Sequence, residues 1–253
     1  MCNFFSFTSD GKGNFKYFDW ELRKKVISGE IRLNSPYIRL DDCTQINRYF
    51  GFISDDDYSR NNYEYNPFTK MFEVADINGA NDFERAKEWV ENIDFKTIAP
   101  QLIIKPIINP LSIDNVGKDI DINIIETLRT WDLFQDPQMC LFWDLLADSI
   151  GDSLRNFILS LLMDSLLSPI RDSLGDFIWK SLEDLIRDLI GAYAFSFVKD
   201  EYITFKDIHK VKALISLWES GYLPVFDGKT WRILAGNNAH IVFEISREKL
   251  HNI

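Results

Sequence analysis

The feature that most constrains this chain is a tetrapeptide repeat in its middle. In blocks of four from residue 144 to residue 191, the third position is Leu146, Ile150, Leu154, Ile158, Leu162, Leu166, Ile170, Leu174, Ile178, Leu182, Ile186 and Ile190. All twelve blocks carry Leu or Ile there. The first position is Asp in eight blocks and the second is Ser in five. The fourth is mixed and includes Gly, Arg and Trp. So long a run is an internal repeat and exceeds a chance amphipathic pattern.

A period of four is awkward for a helix. One helical turn takes about 3.6 residues, so each tetrad overshoots by about 40°. Over twelve blocks the stripe drifts through more than a full revolution, and one straight helix cannot bury it against one partner. A 3.5-residue period supercoils to the left and an 11-residue period to the right. Three solutions exist: several shorter helices, one long helix buried on several sides of an assembly, or a β-solenoid with one inward residue per short face. Two prolines favour shorter helices. Ser168-Pro169 and Asp136-Pro137 each read as an N-cap followed by Pro at the first helical position. They predict helices over about 136–167 and 169–192. The helix-forming Leu, Arg, Lys and Glu agree, while the glycines at 151, 175 and 191 weaken the reading by about 1 kcal/mol each.

The repeat also organises the charge. Of the chain's net charge of -11, residues 144–191 contribute -5, from nine acids and four bases. Asp at every fourth position is the pattern of a solvated face, partly paired with Arg155, Arg171, Lys180 and Arg187. It lacks the close alternate oxygen spacing and Gly turn of a calcium loop.

The flanks predict α+β structure. Residues 3–8 and 14–19 surround Asp10-Gly11-Lys12-Gly13, a hairpin signal. Asp19 is placed to cap a helix over 20–28 that Gly29 stops. A second hairpin is predicted around Pro67. Asn81 opens an amphipathic helix over 83–92 with Phe83, Ala86, Trp89 and Val90 on one face. Pro100, Pro106 and Pro110 exclude regular helix from 98–111, leaving extended segments or a connector. A helix over about 120–131 leads into the repeat. Beyond the repeat, a helix over 206–220 stops at Gly221, and three strands follow at 224–226, 230–234 and 240–245, with Asp227-Gly228 as a tight turn. The expected fold class is therefore α+β, with small sheet-containing flanks around a helical tetrad segment and a β-solenoid as the alternative. The expected regions are 1–115, 116–195 and 196–253, the two flanks being potential halves of one sheet-containing domain.

The acidic balance argues against nucleic acid, whose binding comes largely from neutralising phosphates, and against an anionic membrane surface. The apolar stretch 157–163 is too short for the ~20 residues of a membrane span. The residues after Met1 have neither the basic nor the long apolar region of a signal peptide. Cys2, Cys43 and Cys140 are widely spaced and odd in number, which fits free thiols in a reducing cytosol.

Candidate chemistry is sparse. Cys2 is the sharpest catalytic candidate. Removal of Met1 would expose a thiol whose own α-amine can act as its base. The alternative is a small hydrophobe in a first strand. The histidines, His209, His240 and His251, show no motif spacing to Cys or Asp. His251 is expected in a frayed tail. Asp41-Asp42 and Asp55-Asp56-Asp57 are acidic loop clusters, read as solvated. No metal site and no cofactor is expected.

The opening Met1-Cys2-Asn3-Phe4-Phe5-Ser6-Phe7 is one of five segments that together resemble a group of uncharacterised phage and gut-bacterial proteins. The others are Tyr63-Glu64-Tyr65-Asn66-Pro67, Leu102-Ile103-Ile104-Lys105-Pro106-Ile107, the Asp-Ser-Leu/Ile-x tetrads and Phe226-Asp227-Gly228-Lys229-Thr230-Trp231-Arg232. Those proteins carry Asp-Ser-Val-x tetrads between similar flanks; here Leu and Ile replace Val. The resemblance implies a viral or mobile-element setting in a host cytosol and brings no activity with it. The leading expectation is an interaction protein that binds itself or a host protein through the twelve Leu/Ile positions. An amidohydrolase-like enzyme using Cys2 is a second reading. A third is a binder of a small anionic ligand through Arg23, Lys24, Lys25 or Arg32.

Overall fold

A computed structural model describes residues 5–31, 43–51, 60–118, 122–134, 157–174, 179–203 and 208–252. The chain divides into two compact units, residues 1–106 and 107–253. Eight α-helices and two small antiparallel sheets among the described residues make the fold α+β.

In the first unit, β1 (Phe5–Ser9) and β2 (Phe15–Lys16) form the expected hairpin. The helix α1 (Trp20–Ile27) follows, with the Asp19 carboxylate accepting from the Leu22 N–H. Then come α2 (Cys43–Tyr49), the hairpin of β3 (Asn61–Asn66) and β4 (Met71–Asp76), and α3 (Phe83–Glu91). The sheet order is β2-β1-β3-β4. Its centre is β1, buried along its whole length. Alternation puts Phe5 and Phe7 on one face, where Phe7 lies 4.8 Å from the Trp89 ring of α3 and 5.4 Å from Tyr63. Phe15 stacks on Trp89 at 4.5 Å. An aromatic layer thus joins the sheet to the predicted apolar face of α3.

In the second unit, α4 (Ile122–Phe134) is followed by α5 over 157–174, α6 (Trp179–Ala194) and α7 (Ile208–Glu219). A meander of β5 (Leu223–Phe226), β6 (Thr230–Ala235) and β7 (His240–Ser246) then leads into α8 (Arg247–Asn252). The helix α7 packs on α4 and α6, α6 on β5, and α8 on both β7 and α4. Tyr193 of α6 stacks on Trp218 of α7 at 5.0 Å and 13°. Their polar tips hold the proline-punctuated connector: Ile108 N–H donates to the Tyr193 hydroxyl, and its carbonyl accepts from Trp218 Nε1, both at 2.8 Å. Gly221 ends α7 at φ +86°, and a Cβ there would sit 2.6 Å from the Cβ of Ile113. Only glycine meets both demands.

Three expectations change. The flanks are not halves of one sheet-containing domain: four strands belong to the first compact unit and three to the second, and the repeat shares the second unit with the C-terminal meander. Pro169 does not start a helix, because α5 runs through it from 157 to 174. His251 lies in α8 and is tied to Asp132. Where it is described, the repeat is helical, and no solenoid forms from those residues. The Asp136-Pro137 start lies outside the described residues.

Candidate functional site

The stripe residues of α5, Ile158, Leu162, Leu166 and Ile170, are all buried. Four tetrads drift by only about 120°, about a third of a turn, which one broad helix face absorbs. In α6, Ile186 and Ile190 are buried beside Leu185 and Leu189. Leu174 is half-buried. Leu146, Ile150, Leu154 and Ile178 lie outside the described residues, as does the side chain of Leu182. The first column behaves as a solvated face: Asp164, Asp172 and Asp184 are exposed and Asp188 is half-buried.

The described stripe is therefore packed inside its own unit. A second apolar column stands beside it on α5. Leu159, Met163 and Leu167, at the fourth tetrad position, are half-buried; Leu161, at the second position and outside this column, is 44 % exposed on the outward side. Leu161 falls in blocks 156–163, where Asn, Ser, Phe and Leu replace the usual Asp and Ser.

The second unit also contains a buried carboxylate that gathers three partners. The Asp132 side chain, near the end of α4, is 1 % exposed. Its Oδ1 accepts from Trp231 Nε1 at 2.8 Å. Its Oδ2 accepts from Arg247 Nε at 2.9 Å and meets His251 Nε2 at 2.7 Å. Burial alone would push this carboxyl upward. The hydrogen bonds from His251, Trp231 and Arg247 outweigh it and hold the group below its ordinary value, so Asp132 is ionised and purely an acceptor. Both neighbours must then donate to it, which places the His251 proton on Nε2. Trp231 stacks on Phe226 at 4.8 Å, and the Arg247 guanidinium lies over the same Phe226 ring at 5.7 Å. Arg129, one turn before Asp132, donates from Nε to the Leu250 carbonyl at 3.1 Å. Residues 119 positions apart thus meet through the packing of α8 on α4. No spacing in the sequence signals this pair; the weak hint was a helix-compatible ending, 247–252, with Arg and His one turn apart.

The first unit has its own buried carboxylate. Asp82 stands at the start of α3, yet its side chain makes no cap bond. It accepts instead from the Ser9 hydroxyl, from the Tyr63 hydroxyl at 2.6 Å and from Asn61 Nδ2 at 2.8 Å. Burial works to raise it, but these hydrogen bonds leave it lowered. Burial and the Asp82 carboxylate push the Tyr63 hydroxyl well up. Asn61 Oδ1 in turn accepts from the Asn78 and Gly79 N–H groups. With every partner a neutral donor from the same fold, this cluster locks strand, hairpin and helix together.

The remaining sequence candidates are scattered. Cys2, Asp41-Asp42, Asp55-Asp56-Asp57 and Arg32 lie outside the described residues. Arg23 Nε donates to the Phe18 carbonyl at 2.9 Å, Lys24 pairs with Glu21 at 2.7 Å and Lys25 lies 3.7 Å from Glu30. These three bases do not converge on a common point. Among the described residues no three His, Cys, Asp or Glu side chains group as they would around a metal ion. None of the described helices is long and apolar enough to cross a membrane. No family model, curated protein or solved structure matches the chain.

Proposed function

We propose that this chain is an interaction protein that self-associates through its tetrad segment, in the setting of a phage or mobile element within a host cytosol. One observation carries the reading: α5 bears more apolar surface than its own unit buries. The stripe faces inward with half-buried Leu159, Met163 and Leu167 along its flank, while Leu161 is 44 % exposed on the opposite, outward side, on the side of Asp164 and Asp172. That side is otherwise polar, as a helix packed on a core requires, and Leu161 is its apolar exception.

A second copy is the occupant that the repeat favours. An isologous contact needs a self-complementary patch, and tetrads supply one. Two antiparallel copies of α5 set Leu161 against its counterpart and bring the fourth-position Arg residues toward the Asp column of the partner. A host protein is the alternative occupant.

Light scattering coupled to gel filtration over a wide concentration range tests the reading, with Leu161→Asp as the variant. The wild-type chain is expected to form a discrete oligomer. The variant, placing a charge on an exposed position, is expected to weaken assembly by about tenfold or more while remaining folded. A strict monomer at every concentration, or an oligomer indifferent to Leu161→Asp, overturns it.

A further inference from the structure

We infer that Arg247 and His251 form a phosphate-binding site on the face of α8, held in place by the buried Asp132. This inference does not rest on the assembly reading. The two residues are four apart on one helix and therefore share a face. Both touch the same oxygen, Asp132 Oδ2, so their side chains converge. Asp132 is enclosed and takes Trp231 on its other oxygen, which fixes the carboxylate from behind. Arg247 and His251 are not enclosed: their side chains are 54 % and 34 % exposed.

What they leave outward decides the ligand. Arg247 spends Nε on Asp132 and holds its guanidinium carbon 5.7 Å from the centre of the Phe226 ring, while its two terminal nitrogens have no hydrogen-bond partner among the described residues. They form a donor fork suited to an oxyanion. His251 spends Nε2, leaving Nδ1. In the neutral ring Nδ1 carries a lone pair and accepts from a ligand O–H; in the charged ring it donates to a ligand oxygen. A phosphate monoester, whose second ionisation lies at about 6, offers both O⁻ and O–H near neutrality. It satisfies the site in either state of the ring. A carboxylate satisfies only the charged state. The buried Asp132 orients both groups and offsets one positive charge, so the pair stays fixed without a ligand.

The test titrates the full chain with inorganic phosphate at neutral pH and follows the imidazole resonances of its three histidines. Assignment comes from single His→Asn variants. Saturable shifts confined to His251, with His209 and His240 unmoved, are expected. Acetate is expected to bind at least about tenfold more weakly, and Arg247→Lys, which keeps the charge but removes the fork, to weaken phosphate by about tenfold. Phosphoserine distinguishes the source: tighter binding than inorganic phosphate points to a phosphorylated protein segment, weaker binding to the free anion, and either order supports the site. Absence of a saturable His251 shift, equal shifts at all three histidines, acetate equal to phosphate, or an unchanged affinity in Arg247→Lys overturns it.

Discussion

Asp132 shows how one residue ties distant chain together. A carboxylate this enclosed is tolerated only because three donors surround it. Asp132→Asn removes the charge that pairs with Arg247 and leaves donors facing an amide. The expected loss is about 3 kcal/mol, in the range for breaking a buried pair. The pH dependence has a definite sign. The folded group sits below its unfolded value of about 3.9, so its stabilisation is fully present above that value. It is lost as pH falls through the lower folded value. Urea unfolding at neutral pH and in acid should therefore show the wild-type and Asp132→Asn curves converging toward acid. A constant gap between them would contradict the assignment. Trp231→Phe is the milder companion. It keeps the ring against Phe226, loses only the Nε1–H donor and should cost about 1 kcal/mol in the same measurement.

At the level of elements, α5 supplies a contrast within four residues of sequence. Leu162 is buried and Leu161 is exposed. Leu162→Ala should cost about 2–5 kcal/mol of unfolding free energy through lost contacts and a cavity. Leu161→Ala should lie within about 0.5 kcal/mol under monomeric conditions. Pro169 gives an unusual third case. It lies inside α5, where proline removes an N–H bond to the preceding turn and crowds its carbonyl, at about 3 kcal/mol. Pro169→Ala should therefore stabilise the protein, raising its urea midpoint; a lowered midpoint would mean that the ring contributes packing worth more than the missing bond. Pro169 also shows where local rules mislead. Ser-Pro favours a helix start, but the inward run Ile158, Leu162, Leu166 and Ile170 spans it, and burial of that continuous face outweighs the local preference. Signals confined to a few residues were readable in advance: the Asp19 cap, the Asp227-Gly228 turn, the Gly221 stop and the amphipathic α3. Asp132 with His251 was not, since a contact across 119 positions leaves no local trace. The inward face of the stripe was equally hidden, because the same Leu/Ile column serves a monomer core or an interface until its neighbours are placed.

The whole chain separates into two units that each carry a sheet and a buried aromatic or aliphatic core. This division sets where self-association must reside. Every tetrad from 144 to 191 falls in the second unit, as do Asp132, Arg247 and His251. The first unit closes its own core around Phe5, Phe7, Tyr63 and Trp89 and locks it with Asp82. The fragments 1–106 and 107–253 should accordingly both be soluble and show cooperative thermal transitions, since compact units with their own cores fold independently. Sedimentation of the two then separates their roles. The 107–253 fragment should reproduce the oligomer of the full chain, and 1–106 should sediment as a monomer. Assembly by 1–106 instead would move the interface to the exposed apolar residues of that unit, Met71, Val74 and Ile77 along and just beyond β4, and would detach the repeat from self-association while leaving the phosphate site on α8 untouched.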